Sequence, residues 1–213
     1  PAKWVDAIQK ITQKSLERAL DVAIRTMDEQ PKVPSSDTMH KLLVAASGGI
    51  GGAFGLPSLA LELPVTTVIM FRSMADIARS EGEDINSIET KLACLEVFAL
   101  GGSSAKDNAA ESGYFAVRAM LSRQVSEAAK YFMERGAAGK GGPALVRLIA
   151  AISSRFGVTV SQKAAASALP VIGAAGGALI NSIFMDHFQN MARGHFIMRG
   201  LERKYGTDLV LIS

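Results

Sequence analysis

Five glycines within eighteen residues are the feature that most limits what this chain can fold into. The stretch "SGGIGGAFGLPSLALELP" runs from Ser47 to Pro64 and carries a single charge, Glu62. A glycine inside a helix costs about 1 kcal/mol relative to alanine, so this many glycines require a compensating contact. Small residues four apart, such as Gly48 and Gly52, form a bare helix face that a second helix can approach closely. We therefore predict closely packed, glycine-faced central helices.

A second stretch without charge, "AAASALPVIGAAGGALINSIFM", runs from Ala164 to Met185. It has the same order as the first: a leucine–proline pair, small residues, then bulky apolar residues. Three interpretations are open. Each stretch has the length of a membrane span, although both are rich in glycine and alanine and Pro57 interrupts the first. Alternatively, the two helices cross tightly in a soluble core, or they line an apolar cavity or a surface that meets lipid.

Apolar residues recur at helical spacing along the chain, and no series of strands is apparent. The pattern predicts one all-α domain of about seven or eight helices over residues 1–213, in which residues 1–35 form an amphipathic helix and a linker. The helices are predicted at about 4–27, from 36 into the glycine stretch, 57–79, from 87 to 100, 105–135, 143–156, 158–168 and 171–205.

Charge and cysteine content limit the functional classes. The 23 basic and 20 acidic residues are interleaved, which argues against a nucleic-acid-binding surface. Cys94 is the only cysteine, so no disulfide framework exists and a reducing compartment is expected. Because no signal peptide is visible, we expect a cytoplasmic protein or one on the inner face of the membrane. His187 and His195 lack the spacing of a zinc motif, and no motif predicts a metal or a cofactor.

Polar side chains placed inside apolar helices are the strongest local anomaly. Charges among apolar neighbours are costly to bury alone and are usually paired. A structural ion-pair network, a polar floor that orients the head group of a ligand in an apolar pocket, and a carboxylate pair acting as acid and base are all open. The residues are Glu62, Thr66, Arg72, Asp76 and Arg79 in one predicted helix, and Glu96 beside Phe98 in the next.

The last predicted helix contains a charged segment, "FMDHFQNMARGHFIMRGLERKYG". Asp186, Asn190 and Arg193 share one face, while His195, Arg199 and Glu202 share another. The segment is typical of a helix with internal ion pairs. A patch that binds an anion or a lipid head group is the alternative, built from Arg193, Arg199, Arg203 and Lys204.

Several separated motifs, in order, resemble the EcsC family of bacteria. They are "GGIGGAFGLPSLALELPVTTVIMFRSMADIARSEGEDI", "LACLEVFALGG", "LPVIGAAGGALIN" and "DHFQNMARGHFIMRGLERKYG". The resemblance covers roughly residues 40–206, while the first 35 residues match no motif. It implies a bacterial, non-secreted helical protein from a family named for a protein encoded beside an ABC transporter. The family has no assigned activity, so the resemblance supplies no catalytic residues.

These observations lead to the prediction of a lipid- or fatty-acyl-binding protein, soluble or peripheral on a membrane. Two long uncharged stretches in a chain without transmembrane architecture support it. One alternative is an accessory protein of a membrane transporter that binds no small ligand, and another is a hydrolase that uses buried carboxylates. The predicted ligand-binding residues are Gly48, Gly52, Phe54, Glu62, Thr66, Arg72, Asp76, Glu96, Phe98, Asp186, His187 and Arg193.

Overall fold

The computed structural model describes residues 2–26, 56–102, 110–136, 142–167, 173–207 and 210. These residues form six helices and contain no strand, which confirms the predicted all-α class. The helices are α1 (Ala2–Thr26), α2 (Leu56–Ser80), α3 (Ile88–Leu100), α4 (Ala110–Arg135), α5 (Pro143–Ser167) and α6 (Gly173–Tyr205).

The number of helices differs from the prediction for two reasons. The helix predicted from residue 36 lies outside the described residues, as do the glycines at 48–55. The break predicted between 156 and 158 is wrong, because α5 is one continuous helix. Gly157 lies inside it, where a Cβ would stand 2.7 Å from Oε1 of Gln9. This glycine makes room for α1 and does not end a helix.

The helix α3 lies at the centre of the described bundle and packs against all five other helices. Apolar side chains occur on all of its faces, as expected for a surrounded helix, and every residue from 90 to 100 is buried, including Lys91 and Glu96. Ser87 caps the beginning of this helix, since its Oγ accepts a hydrogen bond from the Thr90 amide at 3.1 Å. The helix ends at Leu100, as predicted.

Neighbouring helices hold the last turn of α3. The guanidinium of Arg155 donates from Nε to the Ala99 carbonyl at 3.0 Å and from a terminal nitrogen to the Gly102 carbonyl at 3.0 Å. A ring nitrogen of His187 lies 2.7 Å from the Gly101 carbonyl. These contacts satisfy carbonyl groups that a helix end would otherwise leave unpaired in the protein interior.

Hydrogen bonds between side chains of different helices establish the directions of the helices. Residue numbers rise together along α2 and α6, so these two helices are parallel. The links are Asn181 Nδ2 to Glu62 Oε1 at 2.9 Å, Gln189 Nε2 to Ser73 Oγ at 2.8 Å, and Arg199 Nε to Glu83 Oε1 at 3.0 Å. We call the end where α2 and α6 begin the lower end and the opposite end the upper end. Asn181 and Arg199 are about 27 Å apart along α6.

Aromatic rings fill the space between α3, α5 and α6. The ring centroids of Phe98 and Phe156 are 4.8 Å apart, and those of Phe184 and Phe188 are 5.1 Å apart. Phe156 also meets Phe188 edge to face at 5.4 Å. Phe98, predicted to contact a ligand, is therefore part of the packed core.

Two glycines allow a test of this packing. In Gly102→Ala, the new Cβ would stand 2.9 Å from the carbonyl carbon of Arg155, so we expect a loss of about 1–3 kcal/mol in the free energy of unfolding. Gly194→Ala is the control, because a Cβ there meets nothing within 4 Å in the exposed middle of α6. Helix propensity then predicts a gain of up to about 1 kcal/mol. Urea denaturation followed by circular dichroism measures the free energy of unfolding of both variants. Equal changes in the two variants would contradict the close packing of Gly102 against Arg155.

Candidate functional site

At the lower end of the bundle, one segment each of α2, α5 and α6 together carry two charged residues. These two residues form an ion pair. Glu62 is the only charge in residues 56–71 of α2, Lys163 is the only one in residues 156–167 of α5, and residues 173–185 of α6 have none. Nζ of Lys163 lies 2.8 Å from Oε1 of Glu62, and Asn181 donates to the same oxygen at 2.9 Å. The two charged side chains are only 4% and 11% exposed. The charges of these three segments therefore cancel within the protein.

Burial and charge act in opposite directions on Lys163. Burial lowers the pKa of Lys163, while the neighbouring Glu62 carboxylate opposes that shift. The ammonium group also stands over the ring of Phe184, 5.0 Å from its centroid. A carboxylate and an aromatic face thus contact the ammonium group, which compensates for the water that it loses.

Four large apolar side chains are exposed around this pair. Leu61 and Val65 of α2 are 79% and 50% exposed, and Leu179 and Ile183 of α6 are 61% and 60% exposed. Members of each pair are four residues apart and share one face of their helix. We call these four residues the apolar end. Since α2 and α6 run parallel, both exposed faces lie at the same end of the bundle.

The buried pair predicts the outcome of a substitution series. Lys163→Met leaves the Glu62 carboxylate buried without its cation, so we expect a loss of about 3–5 kcal/mol in the free energy of unfolding. The double variant Glu62→Gln with Lys163→Met should regain most of this loss, because no charge remains buried and the shapes are kept. Chemical denaturation of wild type, both single variants and the double variant measures the coupling. Additive losses would show that the two groups do not interact.

A second buried polar cluster lies toward the upper end, between α3, α4 and α6. Oη of Tyr114 is 3.0 Å from Nδ1 of His195, and Nε2 of the same ring is 4.0 Å from Oε2 of Glu96. His195 is fully buried and Glu96 is 6% exposed. Among the described residues, Nε2 of His195 has no hydrogen-bond partner. We call these three residues the Tyr–His–Glu cluster.

Ion pairs between different helices surround this cluster. Arg118 of α4 forms two hydrogen bonds with Glu202 of α6, at 2.7 and 2.9 Å. Arg199 of α6 binds both carboxylate oxygens of Glu83 at 3.0 and 3.3 Å, and Arg203 bonds to the same carboxylate. Burial alone would raise the pKa of Glu83, but hydrogen bonds from the two arginines lower it below its ordinary value. The ion pairs of this face of α6 thus run between elements, whereas the sequence predicted pairs within the helix.

The cluster has an unusual distribution of protons. Burial raises the pKa of Glu96 to about 7, against the opposing effect of Arg118 and Arg199. Burial, together with the positive charges of those arginines, lowers the pKa of His195 to about 3. Burial likewise raises the pKa of Tyr114 to about 12. Near neutral pH the histidine and tyrosine are therefore uncharged, while Glu96 takes up and releases a proton.

The raised pKa of Glu96 makes stability depend on pH. Its value rises from 4.5 in the unfolded chain to about 7 in the fold, so the folded state binds more protons between these values. Glu96 therefore contributes a loss of stability as pH rises through this window, on the order of 3 kcal/mol in full. The free energy of unfolding of Glu96→Gln, minus that of wild type, should rise between pH 4.5 and 7 and then level off. A difference that stays constant with pH would contradict this.

The predicted site residues that the structure describes are distributed along the bundle and do not converge. Glu62 and Thr66 lie at the lower end, where the buried Thr66 hydroxyl has no hydrogen-bond partner among the described residues. Arg72 is exposed, and Asp76 pairs with Arg79 at 3.0 Å within α2. Glu62, Asp76 and Glu96 thus have separate surroundings, so the carboxylates proposed for a hydrolase are not brought together.

The remaining predicted residues have structural contacts or lie outside the described part. His187 holds the end of α3, as described above, and Phe98 belongs to the core. Asp186 and Arg193 are half-buried on α6 between the two ends. Gly48, Gly52 and Phe54 lie outside the described residues, so their prediction stays a prediction.

Sequence reasoning missed several partners. Lys163 carries a usable signal, because it is the lone charge of an apolar helix segment, as Glu62 is. Tyr114, Arg118 and Glu83 carry none, since each is one polar residue among many on an amphipathic helix or in a loop. Their roles depend on contacts over 81 to 120 residues of sequence, which periodicity cannot reveal.

One segment of the described chain, residues 143–166 in α5, is long and apolar enough to cross a membrane. Half of its most apolar window is buried in the bundle. A core helix of a soluble protein meets the same criteria, so this segment is weak evidence for a span.

Comparison with protein-family models gave one informative match. The model of the EcsC protein family matches residues 2–201 of the 213. The match includes the first 35 residues, which the motif resemblance did not cover. Comparisons with curated proteins and with solved structures returned no match.

Proposed function

This chain belongs to the EcsC protein family, and we propose that it binds lipid through its apolar end, as a peripheral protein on the inner face of the membrane. The observation that carries the proposal is the internal cancellation of charge in the lower segments of α2, α5 and α6. Their two charged side chains, Lys163 and Glu62, are paired and nearly buried. The large apolar side chains that α2 and α6 expose there are Leu61, Val65, Leu179 and Ile183.

Electrostatic cost explains why this arrangement favours lipid. A lone charge near hydrocarbon is expensive, while a paired and hydrogen-bonded charge is tolerated. The surface of a soluble protein normally presents charged side chains to water. At the lower end, the described parts of α2 and α6 present large aliphatic side chains and no free charge. Contact with acyl chains removes this apolar area from water without separating an ion pair.

The filled interior favours binding on the surface over binding in a cavity. Four phenylalanine rings occupy the space between α3, α5 and α6. A groove between α1 and α5 measures about 170 Å³, whereas ligand pockets usually exceed about 300 Å³.

Distance along the helices decides which cations could meet head groups. Arg199 is about 27 Å from Asn181 along α6, whereas half a bilayer with its head groups is about 20 Å thick. Arg72, in contrast, follows Leu61 by about 16 Å along α2, close to half of the hydrocarbon core of about 30 Å. Arg72 is exposed, and we place it at the level of the head groups.

Vesicle flotation without detergent tests the proposal. Leu61→Asp and Ile183→Asp should each weaken binding to phosphatidylcholine vesicles by roughly tenfold or more, since an aspartate at membrane depth costs about 2.5 kcal/mol or more. Met133→Asp is the matched control, because Met133 is 67% exposed on α4. It lies about four turns beyond Arg118, which is already near the upper end. This control should bind as wild type does.

The salt dependence separates two modes of binding. Binding through the apolar end should persist in neutral vesicles at high salt, because no net charge is involved. Binding through the arginines of α6 would require anionic lipid and would fall with salt. Equal loss in all three aspartate variants, or binding only to anionic vesicles, would overturn the proposal.

A second candidate function is contact with a membrane transporter subunit. Exposed apolar residues continue along α6 above the apolar end, where Ile197 is 43% and Leu201 is 38% exposed. Gly194 lies on the same face one turn earlier, and a helix of another protein could approach there. Ile197→Asp should weaken such a complex and leave vesicle binding unchanged.

A further inference from the structure

The Tyr–His–Glu cluster takes no part in lipid binding at the opposite end of the bundle, and it contains an unexplained atom. Nε2 of His195 is fully enclosed and lacks a hydrogen bond among the described residues. Buried polar atoms without partners are rare in folded proteins and require an explanation. The nearest carboxylate oxygen belongs to Glu96 at 4.0 Å, about 1 Å beyond hydrogen-bond distance. A rotation of the Glu96 side chain would close this gap.

Hydrogen-bonding rules allow two arrangements of the cluster. A neutral imidazole has one donor nitrogen and one acceptor nitrogen. When Glu96 is a carboxylate, Nε2–H of His195 donates to it, and Nδ1 accepts from the hydroxyl of Tyr114. When Glu96 is protonated, it donates to Nε2, so that Nδ1–H donates to the oxygen of Tyr114. The two arrangements differ by one proton, and the histidine is neutral in both.

We propose that the Tyr–His–Glu cluster is a proton-binding relay in which uptake of one proton reverses the hydrogen bond between His195 and Tyr114. Tyr114 is half-buried and is the most exposed member of the cluster, while His195 and Glu96 are buried. Tyr114 gives its hydroxyl proton to Nδ1, and His195 passes its Nε2 proton to the Glu96 carboxylate. The tyrosine oxygen then takes one proton from a hydronium ion of the solvent, which leaves as water. Within the cluster, one O–H and one N–H bond break, while one N–H and two O–H bonds form, so the net change is one bound proton.

This reversal changes what Tyr114 can offer. In the carboxylate state, the hydroxyl hydrogen of Tyr114 is used by His195. In the protonated state, the tyrosine oxygen accepts from His195, and its hydrogen becomes available to an acceptor outside the cluster. The relay therefore controls a hydrogen-bond donor near the beginning of α4.

Each of the two arginines that act on Glu96 is itself paired with another carboxylate, and burial has the largest effect on the proton of Glu96. Arg118 from α4 is paired with Glu202, and Arg199 from α6 is paired with Glu83 of the loop before α3. Of the other elements packed on α3, α2 contributes Arg79, which is paired with Asp76, and α5 contributes Arg155, which binds carbonyl groups at the end of α3. Burial then places the pKa of Glu96 near 7, while the pKa of His195 falls to about 3, so the proton rests on the carboxylate.

Nitrogen NMR of ¹⁵N-histidine-labelled protein tests the relay, because the two ring nitrogens report the tautomer directly. We expect the signal of His195, assigned by its absence in His195→Asn, to change from the Nε2–H to the Nδ1–H tautomer as pH falls. The midpoint should lie near neutral pH without formation of the imidazolium. Infrared difference spectra should show a protonated carboxyl group appearing with the same midpoint.

Two substitutions on α3 sharpen the test. Glu96→Gln cannot take up the proton, so the tautomer of His195 should no longer change between pH 5.5 and 8.5. Glu89→Gln, at an exposed position of the same helix, should leave the titration unchanged. One fixed tautomer in wild type over this range, or an imidazolium signal there, would overturn the proposal. The wild-type titration decides the question even if Glu96→Gln does not fold.

Discussion

The ion pair between Lys163 and Glu62 is the interaction on which the lower end of this protein depends. Its 2.8 Å contact joins α5 to α2, and Asn181 brings α6 to the same oxygen. Either charge alone would be a lone ion under an apolar surface, so each makes the other tolerable. A shift of one residue along α5 would carry Lys163 away from its oxygen. The pair therefore fixes the register of three helices while it leaves their exposed side chains apolar.

Local sequence signals predicted the fold where the relevant contacts are local. The limits of α3 were predicted, near Ser87 and at Leu100, because both depend on neighbours within four residues. The division of α5 was wrong because the role of Gly157 depends on Gln9, which lies far away in sequence. A glycine inside a helix has the same sequence signature whether it ends the helix or admits a neighbour. Only the packing distinguishes the two.

Contacts between residues that are distant in sequence also limit what the sequence predicts about the two buried sites. Glu62 and Glu96 stand out from sequence, because each is a charge among apolar residues of a helix. Their partners do not stand out, and the partners determine the chemistry. Glu62 meets a cation and becomes part of a neutral surface, whereas Glu96 meets a neutral histidine and retains a titratable proton. Two similar sequence anomalies thus lead to different physical outcomes.

The helix α6 contributes to both buried sites, through Asn181 at the lower end and His195 above. The two sites share one rigid element, so proton uptake would be coupled to the apolar end only if the relay moved this helix. The relay exchanges hydrogen positions and requires only a rotation of the Glu96 side chain on α3. No backbone hydrogen bond of α6 forms or breaks when one arrangement changes into the other. The apolar end therefore keeps its shape in both proton states, and the consequence of protonation falls on Tyr114, at the beginning of α4.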